Sequence, residues 1–283
     1  MNRDYRIEQF NGINELGVFK KSEWVSEGDS LKNSSKALNE LSQSTKSELD
    51  FLVSKRKEGR KNSNSKNIVD LIKTVESYKK SSILLLGYSI EMYLKAGLVC
   101  LHQYTVRDDF VELLRKKYSH NLSLVAQLLG ISLSSKEIES LDRLKDLVLD
   151  EGRYPITPLS EDEYISQVNK LNQEIWSVKQ YKTWEELASK IEDSVRKIDS
   201  DSSNPVSFTR YQIDDDGYCV FRFGGNLPAY LLAKYSTEQK ENGGNNPNGL
   251  IDLLIEKLPE SITKSVISLY RNEITVINLG KRK

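Results

Sequence analysis

The sequence has little cysteine and little histidine, and both absences limit the kinds of site it can build. Cys100 and Cys219 are the only cysteines in 283 residues, and they form no C-x-x-C pair. We therefore expect neither a disulfide framework nor a cysteine-based zinc site, and we expect a reducing, cytoplasmic location. Two histidines, His102 and His120, are too few to build a zinc site. The prediction is a protein without a bound metal or cofactor.

An excess of charge of one sign is also missing. The 41 Lys and Arg residues equal the 41 Asp and Glu residues, so no overall field attracts the chain to nucleic acid or to an anionic membrane. An RNA site must then be a local patch. Glu91 and Lys95 interrupt the most apolar window, residues 83–101, and charges at the centre of a spanning helix are costly. We expect no membrane span, and the polar start Met1–Tyr5 lacks the apolar core of a signal peptide.

What the sequence does contain is a strong helical pattern over residues 66–198, which we interpret as a helical bundle. Apolar steps of three and four residues predict one long helix over 68–103, or two joined near 79–82, and another helix over 106–118. Ser119 and Gly130 are suited to begin and end the next helix. Three capping boxes predict further helix starts: Ser134–Glu137, Ser160–Glu163 and Thr183–Glu186. Residues 1–65 are predicted to form an arm, a helix near 31–53 and a basic loop that starts at residue 54. This loop is either a solvated linker or a loop that contacts phosphate.

The pattern changes after the polar stretch 199–205. Two runs, 206–213 and 218–223, flank Asp214–Gly217 and predict a β-hairpin. We expect short helices over 229–235, 250–258 and 262–270, and a strand over 274–279. Residues 206–283 are thus predicted to form a small α+β appendage on a mainly α protein.

Charged residues in the most apolar segment are the first candidates for a site. Glu91, Lys95 and His102 are separated by four and seven residues, so a helix places them on one face. A Glu and a Lys in so apolar a segment must pair or line a polar cleft, because an unpaired buried charge is costly. Two interpretations follow: a structural ion pair, or a Lys95 that contacts a nucleotide phosphate while Glu91 orients it.

Three short motifs occur in order: IEMYLKA at residues 90–96, SHNL at 119–122 and GRYP at 152–155. Together they resemble the HEPN family (higher eukaryotes and prokaryotes nucleotide-binding) over roughly residues 66–198. The resemblance implies an up-and-down bundle of four or five helices, often a homodimer with a cleft between the protomers. It also implies a role in toxin–antitoxin or phage-defence systems, where some members cleave RNA and others bind nucleotides or partner nucleotidyltransferases without catalysis.

Ribonuclease members of that family use an R-x4-6-H motif without metal, in which Arg holds phosphate and His assists attack by the ribose 2′-hydroxyl. Arg115 and His120 match this spacing and are the catalytic residues that the resemblance implies. Alternatively, His120 caps a helix or donates to a backbone carbonyl. Arg153 is suited to bind phosphate or to form a salt bridge with Glu91, and Tyr154 to stack on a base or to pack in the core.

The function expected from these residues is RNA or nucleotide binding in an inter-protomer cleft, with Glu91, Lys95, Arg153 and Tyr154 as binding residues. If Arg115 and His120 are catalytic, the protein is a metal-independent endoribonuclease that leaves a 2′,3′-cyclic phosphate. The alternative is a non-catalytic helical module that docks an antitoxin, a nucleotidyltransferase or another effector. Because the P-loop, the dinucleotide fingerprint and the G-x-S-x-G turn are absent, we expect none of the chemistry that those motifs serve.

Overall fold

The protein is mainly helical, as predicted. The computed structural model describes residues 16–57, 65–151, 160–257 and 275–278. A 3-10 turn at Gly17–Phe19 precedes two long helices, α1 (Lys21–Lys57) and α2 (Ser65–Leu101). Five shorter helices follow: α3 (Arg107–Lys116), α4 (Leu122–Leu128), α5 (Ser135–Asp146), α6 (Glu161–Trp176) and α7 (Val178–Lys197). A wider π-helical turn, Leu147–Glu151, continues from the end of α5.

Helices α1 and α2 form a long antiparallel hairpin. The Ser35 hydroxyl donates to the Ser82 carbonyl at 2.6 Å, and the Tyr93 hydroxyl donates to the Asp29 carboxylate at 2.8 Å. The buried residues of α1 repeat every seven positions, which is the spacing of a coiled-coil seam: Gly28, Ser35, Ser42 and Leu49. Three of them are small, so the two helices approach closely. A Cβ atom added at Gly28 would lie 2.7 Å from the Tyr93 ring.

Helix α1 is longer than the helix predicted over residues 31–53, and the predicted arm is helical from Lys21 onward. The hydrophobic pattern did not reveal this start because the seam uses Gly and Ser where most helices use apolar side chains. Since α1 packs along α2, the N-terminal helix is part of the bundle's packing. The division into residues 1–65, 66–198 and 206–283 stays a prediction, and residues 1–15 and 58–64 lie outside the described ranges.

Helix α2 is the central helix of the bundle. Its apolar side chains form the main core with those of α7, which include Trp184, Leu187 and Ile191. Within the described ranges one helical stretch, Asn67–Leu101, is long and apolar enough to cross a membrane, but 72% of its most apolar window is buried inside the protein. Such burial is the pattern of a core helix in a soluble bundle.

Two of the three predicted capping boxes lie at helix starts. Ser134 accepts from the Glu137 amide while the Glu137 carboxylate accepts from the Ser134 amide, so this capping box is complete. Ser160 accepts from the Glu163 amide at the start of α6. The third prediction is wrong, because Thr183 lies inside α7 and Ser177 is the N-cap. One amphipathic stripe continues past both Ser177 and Thr183, so the hydrophobic pattern does not show where α7 begins. Only the non-helical backbone of Ser177 marks that start.

The C-terminal region contains a sheet with the strand order β1 (Ser207–Gln212), β2 (Tyr218–Phe223), β3 (Tyr230–Lys234) and β4 (Thr275–Asn278). The first three strands are antiparallel, with Gln212 opposite Tyr218 across the predicted hairpin, and β4 runs parallel to β3. Two helices, α8 (Thr237–Glu241) and α9 (Pro247–Lys257), lie in the connection from β3 to β4. The hairpin, the helix over 250–258 and the strand over 274–279 are thus confirmed, whereas the helix predicted over 262–270 lies outside the described ranges.

The helix predicted over residues 229–235 is wrong, because this segment is strand β3. It pairs with β2 and is buried on both faces: Tyr230 and Leu232 face the main core, while Leu231 and Ala233 face a second core. That second core includes Leu250 of α9. A strand buried on both sides shows a continuous apolar run, and such a run cannot be distinguished from a helix by periodicity.

A buried ion pair connects the sheet to the bundle. Asp109 of α3 accepts from Lys234 of β3 at 2.9 Å and from the Tyr218 hydroxyl of β2 at 3.1 Å. The same hydroxyl accepts from the Val106 amide at 3.0 Å, just before α3 begins. We call Asp109, Tyr218 and Lys234 the Asp109 clamp. It fixes α3, and therefore the turn that follows α3, against the sheet.

Candidate functional site

Glu91 is the centre of a charged cluster on the central helix. The residue is only 5% exposed, yet both of its carboxylate oxygens have partners. Lys95 Nζ lies 2.7 Å from Oε1, and His120 Nδ1 lies 3.0 Å from Oε2. The structure therefore brings together three of the residues singled out in the sequence, and we call them the Glu91 cluster.

The position of His120 differs from the predicted one. Helix α4 begins at Leu122, so His120 precedes it and does not lie in its first turn. His120 adopts a left-handed backbone conformation with φ of 54°, which is uncommon outside glycine. The turn closes where the Asn121 amide donates to the Tyr118 carbonyl at 3.3 Å. His120 is thus neither a helix cap nor a donor to a backbone carbonyl, because its Nδ1 partner is Glu91.

At the other end of α4 the prediction is confirmed. Gly130 follows the helix with φ of 65°, the left-handed conformation that glycine adopts without strain. The Ile131 amide returns to the Ala126 carbonyl at 3.0 Å and closes the helix end.

The contact with Glu91 determines how the His120 imidazole can act. A carboxylate next to Nδ1 favours the tautomer with hydrogen on Nδ1, and it stabilises the imidazolium when the ring gains a proton. In the neutral ring Nε2 then carries the lone pair, and it makes no hydrogen bond to the described residues. The His120 side chain is 37% exposed, against 6% for Glu91. An open imidazole backed by a sealed carboxylate is an arrangement suited to proton transfer.

Trp24 of α1 also lies at this site, and the sequence analysis did not predict its position. Lys95 Nζ lies 5.2 Å from the centroid of the Trp24 ring, within the range of a cation–π contact. The Trp24 indole donates to the Val18 carbonyl at 2.9 Å, which fixes the ring. The seven-residue repeat of small residues in α1 is the signal that could have extended the helix to Trp24 and placed it beside α2.

Arg115 does not join the Glu91 cluster. It is exposed in the last turn of α3, and no hydrogen bond or ion pair connects it to Glu91 or His120 in the described ranges. It lines a shallow groove of about 550 Å³ with four other α3 residues: Asp108, Val111, Glu112 and Lys116. Arg153 and Tyr154 lie outside the described residues.

His102 is separate from the charged stripe that the sequence predicted. The residue is fully buried, its ring packs against Phe110 and Tyr118, and Nε2 lies 3.0 Å from the Tyr118 hydroxyl. Burial, with a smaller contribution from the charge of Lys117, lowers the pKa of His102 to about 3. His102 is therefore a neutral core residue at physiological pH, and His120 is the histidine that solvent can reach.

In the part of the chain that the structure describes, no group of three or more His, Cys, Asp or Glu side chains is placed to hold a metal ion. The chain matches no family model, no curated protein and no solved structure. The resemblance to HEPN proteins therefore depends on the three sequence motifs. The first two of these contribute Glu91, Lys95 and His120, the residues that meet in the structure.

Proposed function

We propose that this protein is an HEPN-like endoribonuclease of a toxin–antitoxin or phage-defence system, which binds RNA at the His120 surface and cleaves it without a metal. One observation carries the proposal: the buried Glu91 carboxylate contacts Nδ1 of the half-buried His120, and Nε2 of the same ring has no hydrogen-bond partner among the described residues. A histidine oriented by a carboxylate is a common arrangement for general acid–base catalysis. Here two motifs far apart in the sequence supply the two groups.

The reaction follows from this arrangement. Nε2 of His120 removes the proton from a ribose 2′-hydroxyl, and the 2′-oxygen attacks the adjacent phosphorus. A bond from phosphorus to the 2′-oxygen forms as the bond to the 5′-oxygen of the next nucleotide breaks. The products are a 2′,3′-cyclic phosphate and a 5′-hydroxyl, and the proton on the imidazolium passes to the leaving 5′-oxygen. Glu91 stabilises the imidazolium between these steps.

In this proposal Arg115 and Lys95 are the cations that face the phosphate, and Trp24 lies beside Lys95. Since Arg115 does not reach the Glu91 cluster of its own chain, we assign it to the cluster of a second copy across an inter-protomer cleft. A guanidinium is well suited to a phosphate because it offers two parallel N–H donors. Arg153 and Tyr154, which lie outside the described residues, stay binding residues predicted from the GRYP motif alone.

The direct test is cleavage of a short single-stranded RNA by the purified full-length chain in EDTA. We expect products that end in a 2′,3′-cyclic phosphate, and we expect His120→Ala to lower the rate by at least about 100-fold. Asn121→Ala, a change at the exposed neighbouring position, should leave the rate within about twofold. Absence of cleavage, or equal rates for wild type and His120→Ala, contradicts the proposal.

Mixing two inactive variants tests the position of Arg115. If Arg115 acts on the cluster of a second copy, a mixture of Arg115→Ala and His120→Ala chains restores a fraction of the wild-type rate, because mixed dimers contain one complete site. If it acts within its own chain, the mixture stays inactive.

A second candidate function is favoured by a different observation. The charge of Glu91 is already matched by Lys95 at 2.7 Å, which is what a structural ion pair requires. In this alternative the protein is a non-catalytic module that docks an antitoxin, a nucleotidyltransferase or another effector. Expression in cells distinguishes the two: growth inhibition that requires His120 supports the nuclease, and an identical effect of wild type and His120→Ala supports the module.

A further inference from the structure

A small cavity in the C-terminal region is lined by acidic side chains. It has a volume of about 320 Å³ and lies between the tip of the β1–β2 hairpin, α8 and α9. Its acidic residues are Asp214, Glu238 and Glu256, and no Lys, Arg or His of the described ranges lines it. Within those ranges Glu238 and Glu256 form no ion pair. The cavity therefore carries negative charge that no described residue neutralises at these two carboxylates.

Gln239 of α8 lines the same cavity and holds a buried donor without an acceptor. The residue is only 6% exposed. Its Oε1 accepts from the Ser236 amide at 3.0 Å in a capping box, which fixes the orientation of the side-chain amide. Nε2 is buried and forms no hydrogen bond to the described residues. A buried N–H without an acceptor is costly, so an oxygen atom supplied by a ligand would stabilise this residue.

Contacts between neighbouring elements hold the walls of the cavity in place. The Ser236 hydroxyl donates to Asp214 at 2.7 Å and joins the hairpin tip to the start of α8. The loop after α8 lies directly against the first turn of α9, because a Cβ atom added at Gly249 would be 2.6 Å from the Gly244 carbonyl oxygen. Leu254 of α9 packs in the second core. The cavity is thus formed by packed elements before any ligand binds.

The lining determines which kind of ligand the cavity suits. Carboxylates attract a cation and repel a phosphate, so neither RNA nor a nucleotide fits. Among the described residues the carboxylates are not grouped closely enough to hold a metal ion, and an amide N–H repels one. An organic cation with an oxygen atom nearby satisfies both the carboxylates and the amide. A guanidinium is the best match, because its planar group offers five N–H donors to several acceptors at once.

We propose that this cavity binds an arginine residue of a partner protein. Its guanidinium lies against Glu238 and Glu256, and its backbone carbonyl accepts from Nε2 of Gln239. The volume is at the small end of the range for ligand pockets, which suits one side chain with its peptide unit. The site is separate from the Glu91 cluster and does not depend on the proposed nuclease activity.

Calorimetric titration of the full-length protein with Nα-acetyl-arginine amide at low salt tests the guanidinium contact. Nα-acetyl-citrulline amide, in which a urea replaces the guanidinium, is the matched neutral probe. We expect the arginine probe to bind at least about tenfold more tightly. Equal affinities of the two probes overturn the proposal. Absence of binding by the arginine probe at about 10 mM overturns it as well.

Substitution of two carboxylates tests whether the probe binds in this cavity. Glu238→Gln combined with Glu256→Gln should lower the affinity for the arginine probe at least about tenfold. Both side chains are exposed, so the variant should keep the Tm of the wild type. Glu241→Gln, a change at an exposed α8 residue outside the lining, should leave the affinity within about twofold, and so should His120→Ala. Equal affinity of wild type and double variant overturns the assignment.

Gln239→Glu tests the contact with the backbone carbonyl. Glutamate keeps the oxygen that accepts from the Ser236 amide and is a usual residue at this position of a capping box, so α8 should fold. The change replaces the N–H donor by an oxygen. Wild type should bind the arginine probe at least about threefold more tightly than methylguanidine, which has no carbonyl, and the variant should lose this preference. A preference that persists in the variant, or is absent in the wild type, overturns the carbonyl contact.

Free L-arginine distinguishes a protein partner from an amino-acid ligand. A site for the free amino acid would hold its α-ammonium and α-carboxylate groups, which the acetylated amide lacks. We expect the acetylated amide to bind at least as tightly as free L-arginine. Tighter binding of free L-arginine overturns the assignment to a partner protein and identifies the amino acid as the ligand.

Discussion

Glu91 and Asp109 are two nearly sealed carboxylates with the same kind of lysine partner, yet they belong to different kinds of site. Each side chain is 6% exposed and pairs with a lysine side chain that is 19% exposed. Their third partners differ: Glu91 holds His120, whose side chain is 37% exposed, whereas Asp109 accepts from Tyr218, which is 1% exposed. The comparison teaches that the third partner, and not the ion pair, distinguishes the two carboxylates: Glu91 is connected to a side chain that solvent reaches, and Asp109 to one that is buried.

The largest expected effect on stability is at Asp109, the carboxylate whose third partner is buried. Asp109→Asn should lower the free energy of unfolding by about 3 kcal/mol, because it leaves Lys234 without a counter-charge beside the sheet. Denaturant unfolding measures the loss. Asp108→Asn, a change at the exposed preceding residue, should cost less than about 1 kcal/mol. Equal losses for the two variants would show that the Asp109 clamp does not hold the sheet to the bundle.

The buried histidine, His102, makes the stability of the protein depend on pH. Burial lowers the pKa of His102 to about 3 from an ordinary value of 6.5, so the unfolded chain takes up a proton first as the pH falls below 6.5. Above pH 6.5 His102 contributes no pH dependence, and between pH 6.5 and 4.5 it should remove roughly 2–3 kcal/mol of stability. Unfolding measured over this range should be less pH-dependent in His102→Gln than in wild type. A His102→Gln slope equal to the wild-type slope contradicts this prediction.

At Glu91, the carboxylate whose third partner reaches solvent, the expected loss of stability is smaller. Glu91→Gln keeps the shape of the side chain. Lys95 is as exposed as Lys234, but the third partner His120 is 37% exposed whereas Tyr218 is 1% exposed, so we expect a loss of about 2 kcal/mol. The proposed cleavage should fall by at least about tenfold, since the amide cannot stabilise the imidazolium. Asp142→Asn, which removes a carboxylate that accepts from Ser123 at 2.8 Å away from the cluster, is the control for cleavage. A Glu91→Gln variant that unfolds like Asp109→Asn and retains full cleavage would reverse the comparison.

The smallest expected effect on stability is at Arg115. Arg115→Ala should change the free energy of unfolding by less than about 0.5 kcal/mol, because the side chain is exposed. Its effect on RNA binding should exceed that of Lys116→Ala, since Lys116 is already paired with Glu112 at 2.9 Å. Filter binding at fixed salt concentration measures both. Equal effects of the two substitutions would remove Arg115 from the proposed phosphate contact.

Features that depend on nearby residues could be predicted from the sequence. The capping box at Ser134, the cap at Ser160 and the glycine at the end of α4 are set by hydrogen bonds within a few residues, and all three are observed. Strand β3 could not be predicted in this way, because its pairing with β2 and its burial on both faces are set by distant parts of the chain.

In the candidate site, too, contacts between nearby residues could be predicted and contacts between distant residues could not. Spacing on one helix placed Glu91 next to Lys95, and that pair is observed. The same spacing argument wrongly placed His102 in the cluster. The sequence of α2 alone does not reveal which neighbouring helix covers each of its turns. The meeting of His120 with Glu91 depends on the left-handed turn after α3, and the contact of Trp24 with Lys95 depends on a seam of small residues that has no hydrophobic signature.

The length of the α1–α2 hairpin limits which molecules can touch both of its ends. Thirty-three residues separate Trp24, beside the Glu91 cluster, from Lys57, at the last turn of α1. At 1.5 Å per residue the two points lie about 50 Å apart. A mononucleotide spans only a small part of this distance, so it can engage one end at a time. Only an extended polymer is long enough to reach both points on α1, such as a stacked nucleic-acid strand of about fifteen nucleotides at 3.4 Å per nucleotide.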